Sequence, residues 1–343
     1  QARQLCPELI QCPAHPQRYA AISTDIMNAL QDITPDIEIF SVDEAFLDVT
    51  HCQRLLGTPS RIARLAKQKV FDASGILCSI GISGDKTTAK FAAKLNKPDG
   101  LTVIPPWDAE ECLRDVPVTE LCGIARGIGG FLAEHGVHTC GDVKKLPISV
   151  LARRFGNPGR RVWYMCQGQD PAGLQLDVPA PKSIGHGKVV PPDTRDSQVL
   201  LTYLLHMSEK VGTRLRRHHL QARTFAIGLH TVDGWLGDKP RCALPTNDGR
   251  QIMELCRRVV QEHWQGQGVH QVQVTALDPI NHGSQLELFS ATDDAHDEVN
   301  AVMDAVNQRY GELALAPARL LNRSSMPNVI APAWKPYGHR QTL

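Results

Sequence analysis

Apolar positions in the first hundred residues alternate between two spacings. Three stretches have the spacing of an amphipathic helix: 17–32, 60–73 (with Ser60 as the predicted N-cap) and 85–96. Between them, residues 37–50 (IEIFSVDEAFLDVT) alternate as strands do, and residues 75–83 form a short apolar strand run. The pattern predicts an α+β sheet domain with Asp43 and Glu44 on a central hairpin.

The pattern changes twice further along the chain. Residues 106–170 contain short helical segments joined by a Gly-rich hairpin, and residues 171–182 are rich in Pro and Gly, as an interdomain linker is. From residue 183 strand runs return, with helices predicted at 196–217 and 248–265, which indicates a second α+β domain. The last 60 residues carry an acidic stretch and one predicted helix, 293–309, and are predicted to be a tail.

Composition limits the class of protein. A hydrophobic content of 42%, a charged content of 21% and a net charge of +1 are typical of a globular protein. No apolar stretch approaches the roughly 20 residues that span a bilayer, so no membrane association is expected. The ten cysteines form no C-x-x-C pair, so reduced thiols are expected rather than a zinc site.

The adjacent carboxylates Asp43 and Glu44 are the first candidate for chemistry. Two acids side by side in an apolar run need a positive partner, and Mg²⁺ is commonly shared between carboxylates and substrate phosphates. The ordinary alternative is an acidic pair on an exposed turn. The apolar neighbours, and a further acid at Asp48, favour the metal site.

The segment SVDEAFLDVT resembles the signature of the Y-family, or translesion, DNA polymerases, and most closely that of their DinB branch. Four other segments resemble this family in the family's order: LCPELIQCP, SIGISGDKTTAKFAAKLNKPDG, CGIARGIGGFLAEHGVHTCGDV and KSIGHGKVVPP. The resemblance implies an α+β, multidomain right-hand polymerase. Its parts would be a fingers remnant (1–13), palm (14–105), helical thumb with a helix-hairpin-helix (106–170), linker (171–182), little finger (183–283) and C-terminal tail (284–343).

The resemblance also implies roles for three residues. Asp43 would be a ligand shared by two Mg²⁺ ions, and Glu44 would lie beside the primer 3′-OH and its metal. Lys86 would contact the triphosphate of the incoming dNTP. Alternatively, Lys86 is a solvated residue at a helix N-terminus, where a lysine is disfavoured by the dipole unless an anion is nearby.

Primer-template DNA is the implied macromolecular partner. The hairpin 123–128 resembles a helix-hairpin-helix that binds phosphate without reading sequence; the simpler interpretation is a tight turn between helices. The family has Gly where Ala125 stands, and a positive φ there would strain alanine. The predicted DNA contacts are Gly123, Ile124, Arg126, Gly127, Ser183, Gly185, Lys188, Arg214, Arg216 and Arg217, although the basic run 210–219 could be a solvated helix face.

The pentapeptide QLELF (285–289) fits the bacterial sliding-clamp peptide pattern. Leu286, Leu288 and Phe289 would enter an apolar groove while Gln285 hydrogen-bonds in a polar pocket. The alternative is the end of an amphipathic strand. The family further implies a cytoplasmic bacterial protein with partners among SOS-response proteins.

The expected function is template-directed, low-fidelity DNA synthesis past lesions. The family's third catalytic carboxylate lies in a D-x-D-x-F-F-A motif, and nothing in residues 1–42 matches it. We therefore expect that the first palm strand and most of the fingers lie upstream, and that the 343 residues alone are inactive. The alternative is a non-catalytic adaptor that binds DNA and the clamp, but retention of both Asp43 and Glu44 favours the enzyme. A repair nuclease has no motif of its own here.

Overall fold

The computed structural model describes residues 2–10, 12–281, 294–323 and 334–336. The chain divides into two compact units, Gln1–Val178 with Asn328–Leu343, and Pro179–Pro327. The division falls inside the segment predicted as a linker. Among the described residues, no helix is long and apolar enough to cross a membrane.

The first unit begins with helices packed on two short ladders. Strands β1 and β2 form an antiparallel hairpin, and β3 and β4 pair in parallel. The buried residues Met27, Leu30, Ile62 and Val70 form the core beneath them. The elements are α1 (Ala2–Leu5), α2 (Pro16–Gln31), β1 (Ile37–Ser41), β2 (Glu44–Leu47), α3 (Gln53–Leu56), α4 (Pro59–Ser74), β3 (Ile80–Ile82), α5 (Lys86–Leu95) and β4 (Leu101–Val103).

Two local predictions are corrected here. Helix α4 is capped by Thr58, whose hydroxyl accepts from the Arg61 amide, and not by Ser60, because Pro59 takes the first helical position. The strand predicted over 75–83 is confined to Ile80–Ile82. Ile76 and Leu77, which precede it, are 49% and 61% exposed and contribute nothing to a buried strand.

The rest of the first unit is helical. Its core contains Leu113, Leu132 and Leu151, all fully buried. Phe91 and Ala92 of α5 belong to this same core, so the segments predicted as palm and thumb share buried contacts. The helices are α6 (Ala109–Leu113), α7 (Arg126–Glu134), α8 (Ile148–Phe155) and α9 (Asn157–Met165).

The second unit is an antiparallel sheet with two long helices. The strand order is β10-β6-β9-β5, with β7 and β8 also paired to β6. Strand β9 alternates: Val272, Val274 and Ala276 are buried in the core with the helices, whereas Gln273 and Thr275 are only half-buried. The elements are β5 (Ser183–Thr194), α10 (Ser197–Arg217), β6 (Leu220–Thr231), β7 (Gly234–Asp238), β8 (Arg241–Thr246), α11 (Gly249–His263), β9 (Val269–Leu277) and β10 (Ile280–Asn281).

The C-terminal part of this unit differs from the predicted tail. Helix α12 (Asp294–Tyr310) is followed by a 3₁₀ turn, Ala318–Asn322, that packs on α10. Leu320 in this turn is completely buried. The described residues 294–323 are therefore an integral part of the second unit.

Candidate active site and nucleic-acid surfaces

Asp43 and Glu44 lie where the β1–β2 hairpin reverses. Val42 and Asp43 form the turn, and the ladder shifts register between Ile39 and Ser41. The Ser41 hydroxyl donates to Asp43 Oδ1 at 2.7 Å and its oxygen lies 3.3 Å from Glu44 Oε2. A buried serine thus holds both carboxylates at one end of the hairpin.

Two lysines of α5 supply positive charge to the hairpin. Lys90 forms an ion pair with Glu44, and its Nζ lies 4.7 Å from the centre of the Phe40 ring. The Lys90 side chain is 17% exposed, so this charge in the middle of α5 is largely shielded from solvent. Glu44 therefore already has a cation as its partner.

Lys86 forms the second ion pair. Its Nζ donates to Glu38 Oε2 at 2.6 Å, and the two side chains are only 14% and 8% exposed. The anion needed beside this helix N-terminus is therefore supplied by the protein itself, 48 residues earlier in the chain. The interpretation of Lys86 as a solvated residue is wrong, because its side chain is largely buried.

The start of α5 is also tied to residues 170–175. The Thr87 hydroxyl donates to Asp170 Oδ2 at 2.7 Å, and Arg161 donates two hydrogen bonds of 2.7 Å to the same carboxylate. Burial alone would raise the pKa of Asp170, but the hydrogen bonds from Arg161, Thr87 and Ala172 together lower it. The backbone N–H of Gln175 donates to Glu38 Oε2 at 2.8 Å.

The two carboxylates at the hairpin fit a Mg²⁺ ion that the protein holds only in part. Among the described residues, no group of three or more Asp, Glu, His or Cys side chains converges to hold a metal. Asp43 is exposed and the Glu44 side chain is 43% exposed, so both carboxylates are accessible to an ion. Two carboxylates suit Mg²⁺ that completes its coordination with substrate phosphates and water.

The Gly-rich hairpin leads into α7. Gly123 has a φ of +93° and a Cβ there would meet nothing within 4 Å, so the backbone is open on that side. Arg126 and Gly127 are exposed in the first turn of α7, whose first amides have no helical partner. Ile124 is 3% exposed and its amide donates to the Leu121 carbonyl, so it anchors the hairpin.

Ala125 does not have the positive φ that the glycine at this position in the family suggested. Its φ is −92° and its ψ is −175°, which is extended backbone open to any residue. The expected strain at this position is therefore absent, and alanine is compatible with the start of α7.

The three predicted template contacts on β5 do not share one face. Lys188 has the same parity as Ile184 and Val190, which are buried in the core, whereas Ser183 and Gly185 have the opposite parity. Burial lowers the pKa of Lys188, and Lys210 adds to the effect. A Cβ on Gly185 would lie 2.4 Å from Thr275 Oγ1, so packing across the sheet requires glycine there.

The predicted arginine cluster on α10 is largely engaged within its own unit. Arg216 donates to both Asp304 oxygens, at 2.6 and 2.8 Å, and is 12% exposed. Arg214 donates to the Gly185 carbonyl at 2.9 Å. Arg217 is exposed. The predicted clamp residues Gln285, Leu286, Leu288 and Phe289 lie outside the described residues.

Two acids pair with predicted site residues without being identified by the sequence: Glu38 with Lys86, and Asp304 with Arg216. Glu38 lies within the strand pattern 37–50, and Asp304 lies within the predicted helix 293–309. The unfavourable placement of a lysine at the first position of α5 was a signal for a nearby anion. Nothing local to either sequence segment indicates which acid supplies it.

Comparison with known proteins identifies the family to which the chain belongs. Residues 1–94 match the impB/mucB/samB family and residues 181–288 match its C-terminal domain. The chain is 33% identical to a DNA polymerase IV of Moorella thermoacetica (91% of this chain, 79% of the relative). It is 30% identical to a DNA polymerase IV of Pelotomaculum thermopropionicum (94% and 82%).

A solved structure agrees on the fold. A Y-family DNA polymerase chimera superposes with a TM-score of 0.68 at 24% identity, over 82% of each chain. The right-hand polymerase architecture implied by the sequence motifs is thereby confirmed. The chain is a member of the impB/mucB/samB family and belongs with the DinB-like Y-family polymerases.

Proposed function

We propose that this protein carries out template-directed DNA synthesis of the translesion type, with the nucleotide bound at the hairpin end of β1 and β2. The observation that carries the proposal is the pair Asp43 and Glu44, held by Ser41, with Lys90 of α5 paired to Glu44 and Lys86 of the same helix paired to Glu38 on β1. Carboxylates beside ammonium groups suit a substrate that brings both a metal ion and a triphosphate. The names of the DNA polymerase IV relatives support this reaction.

Each residue has a distinct task in this proposal. Asp43 and Glu44 would hold two Mg²⁺ ions, which neutralise phosphate charge and activate the primer hydroxyl. Lys86 would donate to the triphosphate, since an ammonium group has three donors and only one is used by Glu38. Lys90 balances the charge of Glu44 in the ligand-free protein.

Duplex DNA would be held through its backbone. The exposed amides at Arg126 and Gly127, at the start of α7, suit phosphate oxygens. In the second unit, Ser183, Gly185 and Arg217 remain proposed contacts. Arg216 would have to leave Asp304 before it could bind phosphate, and Lys188 lies on the helix side of its sheet.

Recruitment by a bacterial sliding clamp is a further part of the proposal. It is supported by the Gln-Leu-x-Leu-Phe pattern of residues 285–289, whose alternate apolar side chains suit an apolar groove.

Nucleotide binding tests the polymerase site without requiring turnover. Primer-template ending in a dideoxynucleotide is mixed with the chain, Mg²⁺ and the complementary dNTP, and the nucleotide Kd is read from a fluorescent template base. We expect a Mg²⁺-dependent Kd that Asp43→Asn weakens by about tenfold or more, because one metal ligand is lost. Asp25→Asn, an exposed aspartate of α2, is the matched control and should leave the Kd unchanged.

The alternative outcomes are informative. DNA binding without any dNTP binding would replace the polymerase by a DNA-binding adaptor. Equal Kd values for Asp43→Asn and the unaltered chain would remove Asp43 from the metal site.

Because the described residues supply two carboxylates and no third, we also infer that the 343 residues alone do not extend a primer. Steady extension with Mg²⁺ would contradict that inference and leave the binding site intact.

A further inference from the structure

Glu38 is a buried carboxylate on which two separate parts of the chain converge. Its Oε2 accepts from Lys86 Nζ at 2.6 Å and from the backbone amide of Gln175 at 2.8 Å. The residue is 6% exposed. None of the motifs discussed above gives it a role.

Burial makes the Glu38–Lys86 contact durable. Removing the cation from a buried carboxylate leaves an uncompensated charge, which is far more costly than breaking an exposed ion pair. The centre of the Phe46 ring lies 5.7 Å from Lys86 Nζ, so the ammonium group also has a cation–π contact. Lys86 therefore stays at Glu38, and that hydrogen bond uses one of the three N–H donors of its ammonium group.

The segment that leads out of the first unit is fastened at the same place. Asp170 accepts from Thr87, the second residue of α5, and Gln175 donates to the partner of Lys86, the first residue. Two consecutive residues of α5 are thus connected to residues 170–175 through carboxylates. The backbone N–H of Gln175 and the Lys86 ammonium group donate to the same Glu38 oxygen, Oε2.

We propose that Glu38 is a positioning residue for the nucleotide: it holds the Lys86 ammonium group in place for the triphosphate and is itself held by the Gln175 amide. The inference rests on the proposed nucleotide site. Glu38 does not touch the nucleotide, so its effect must act through Lys86. Its second contact also makes it the anchor of the segment 171–178.

A double-mutant cycle tests the first half of this inference. In the dideoxy-primer assay, Glu38→Gln should weaken dNTP binding by about tenfold, because the lysine loses its charged partner but the side chain keeps its shape. Lys86→Ala should weaken binding at least as much. The double variant should match Lys86→Ala within about twofold, because Glu38 has nothing left to position.

The matched control is Glu120→Gln. Glu120 also pairs with a lysine of α5, Lys94, but at 3.8 Å and with 56% of its side chain exposed. This variant should bind dNTP as the unaltered chain does. Independent, additive losses from Glu38→Gln and Lys86→Ala would show a merely structural effect and overturn the positioning role.

The same assay distinguishes failure of the Lys86–triphosphate contact from failure of the positioning role of Glu38. If Lys86→Ala leaves the Kd unchanged, the proposed triphosphate contact fails. If Lys86→Ala weakens binding and Glu38→Gln does not, only the role of Glu38 fails.

Hydrogen exchange tests the second half without any nucleotide. Glu38→Ala removes the acceptor of the Gln175 amide, so peptides covering residues 171–178 should exchange at least several-fold faster, whereas Glu38→Gln keeps an acceptor oxygen and should exchange more slowly than Glu38→Ala. Unchanged exchange in Glu38→Ala would show that Glu38 does not anchor this segment.

Discussion

Glu209 shows how a single buried group can couple stability to pH. It is a carboxyl of α10 that is 7% exposed and packs against the start of α11, where a Cβ on Gly249 would lie 2.7 Å from it. Burial raises its pKa to about 7, and Arg216 only partly offsets this. Because the folded protein holds this proton more tightly than the unfolded chain, the stability contributed by Glu209 falls as pH rises from about 4.5 to 7.

Replacing this carboxyl should therefore stabilise the protein most above neutral pH. We expect Glu209→Gln to raise the melting temperature at pH 8 and to raise it less at pH 5, because the amide cannot ionise. Thermal unfolding of both proteins at the two pH values measures the difference. Glu254→Gln, an exposed acid of α11, should change the melting temperature little at either pH. An equal gain for Glu209→Gln at both pH values would rule out its ionisation as the cause.

At the residue scale, the sequence revealed side chains that are neighbours along the chain, but not those that only the tertiary structure brings together. Asp43 and Glu44 stand side by side in an apolar run, so their neighbours alone were enough to predict a metal site there, and that role stays a prediction. Glu38 lies 48 residues from Lys86, and only tertiary structure joins them. The conformation of Ala125 was also inaccessible, since a glycine preference in relatives does not fix φ in this chain.

Helix α12 is connected to α10 through Asp304. Asp304 accepts two hydrogen bonds from Arg216, and the side chains of this pair are 12% and 29% exposed, so water screens it only in part. Much of the rest of the helix surface is open, with Val299 and Val302 more than half exposed. The docking of α12 should therefore be sensitive to the loss of one carboxylate.

We expect Asp304→Ala to increase hydrogen exchange of residues 294–310 by about tenfold or more while exchange in β6 and β9 is unchanged, because a charged pair contributes about 1.5–3 kcal/mol. Asp297→Ala removes an exposed carboxylate from the same helix and serves as the control. If the two variants exchange alike, the Arg216 pair does not hold α12.

Element boundaries followed the sequence where periodicity was strong. The helices predicted at 196–217 and 248–265 are Ser197–Arg217 and Gly249–His263, with Asp196 and Asp248 as N-caps. The short strand near residue 80 was predicted too long, because an apolar run also contains exposed residues. The packing of α12 could not be predicted, since its apolar spacing does not identify Arg216 as the partner of Asp304.

At the scale of the whole molecule, buried residues segregate by unit. The core of the second unit is drawn from residues 184–276, and the two cores of the first unit from residues 26–166. Among the described residues, no hydrophobic core contains residues from both units. Each unit therefore has its own source of hydrophobic stabilisation, as independent domains do.

Two matched core substitutions test whether the units unfold separately. Leu204 in the second unit and Leu132 in the first are both fully buried, so each Leu→Ala change should cost its unit about 2–5 kcal/mol. Leu204→Ala should accelerate hydrogen exchange of the most protected amides in α10 and β9 and leave those in α7–α9 unchanged; Leu132→Ala should do the reverse. Because only the location of the leucine differs, each variant is the control for the other. Equal loss of protection in both units from either variant would mean that the chain unfolds as one cooperative body despite its separate cores.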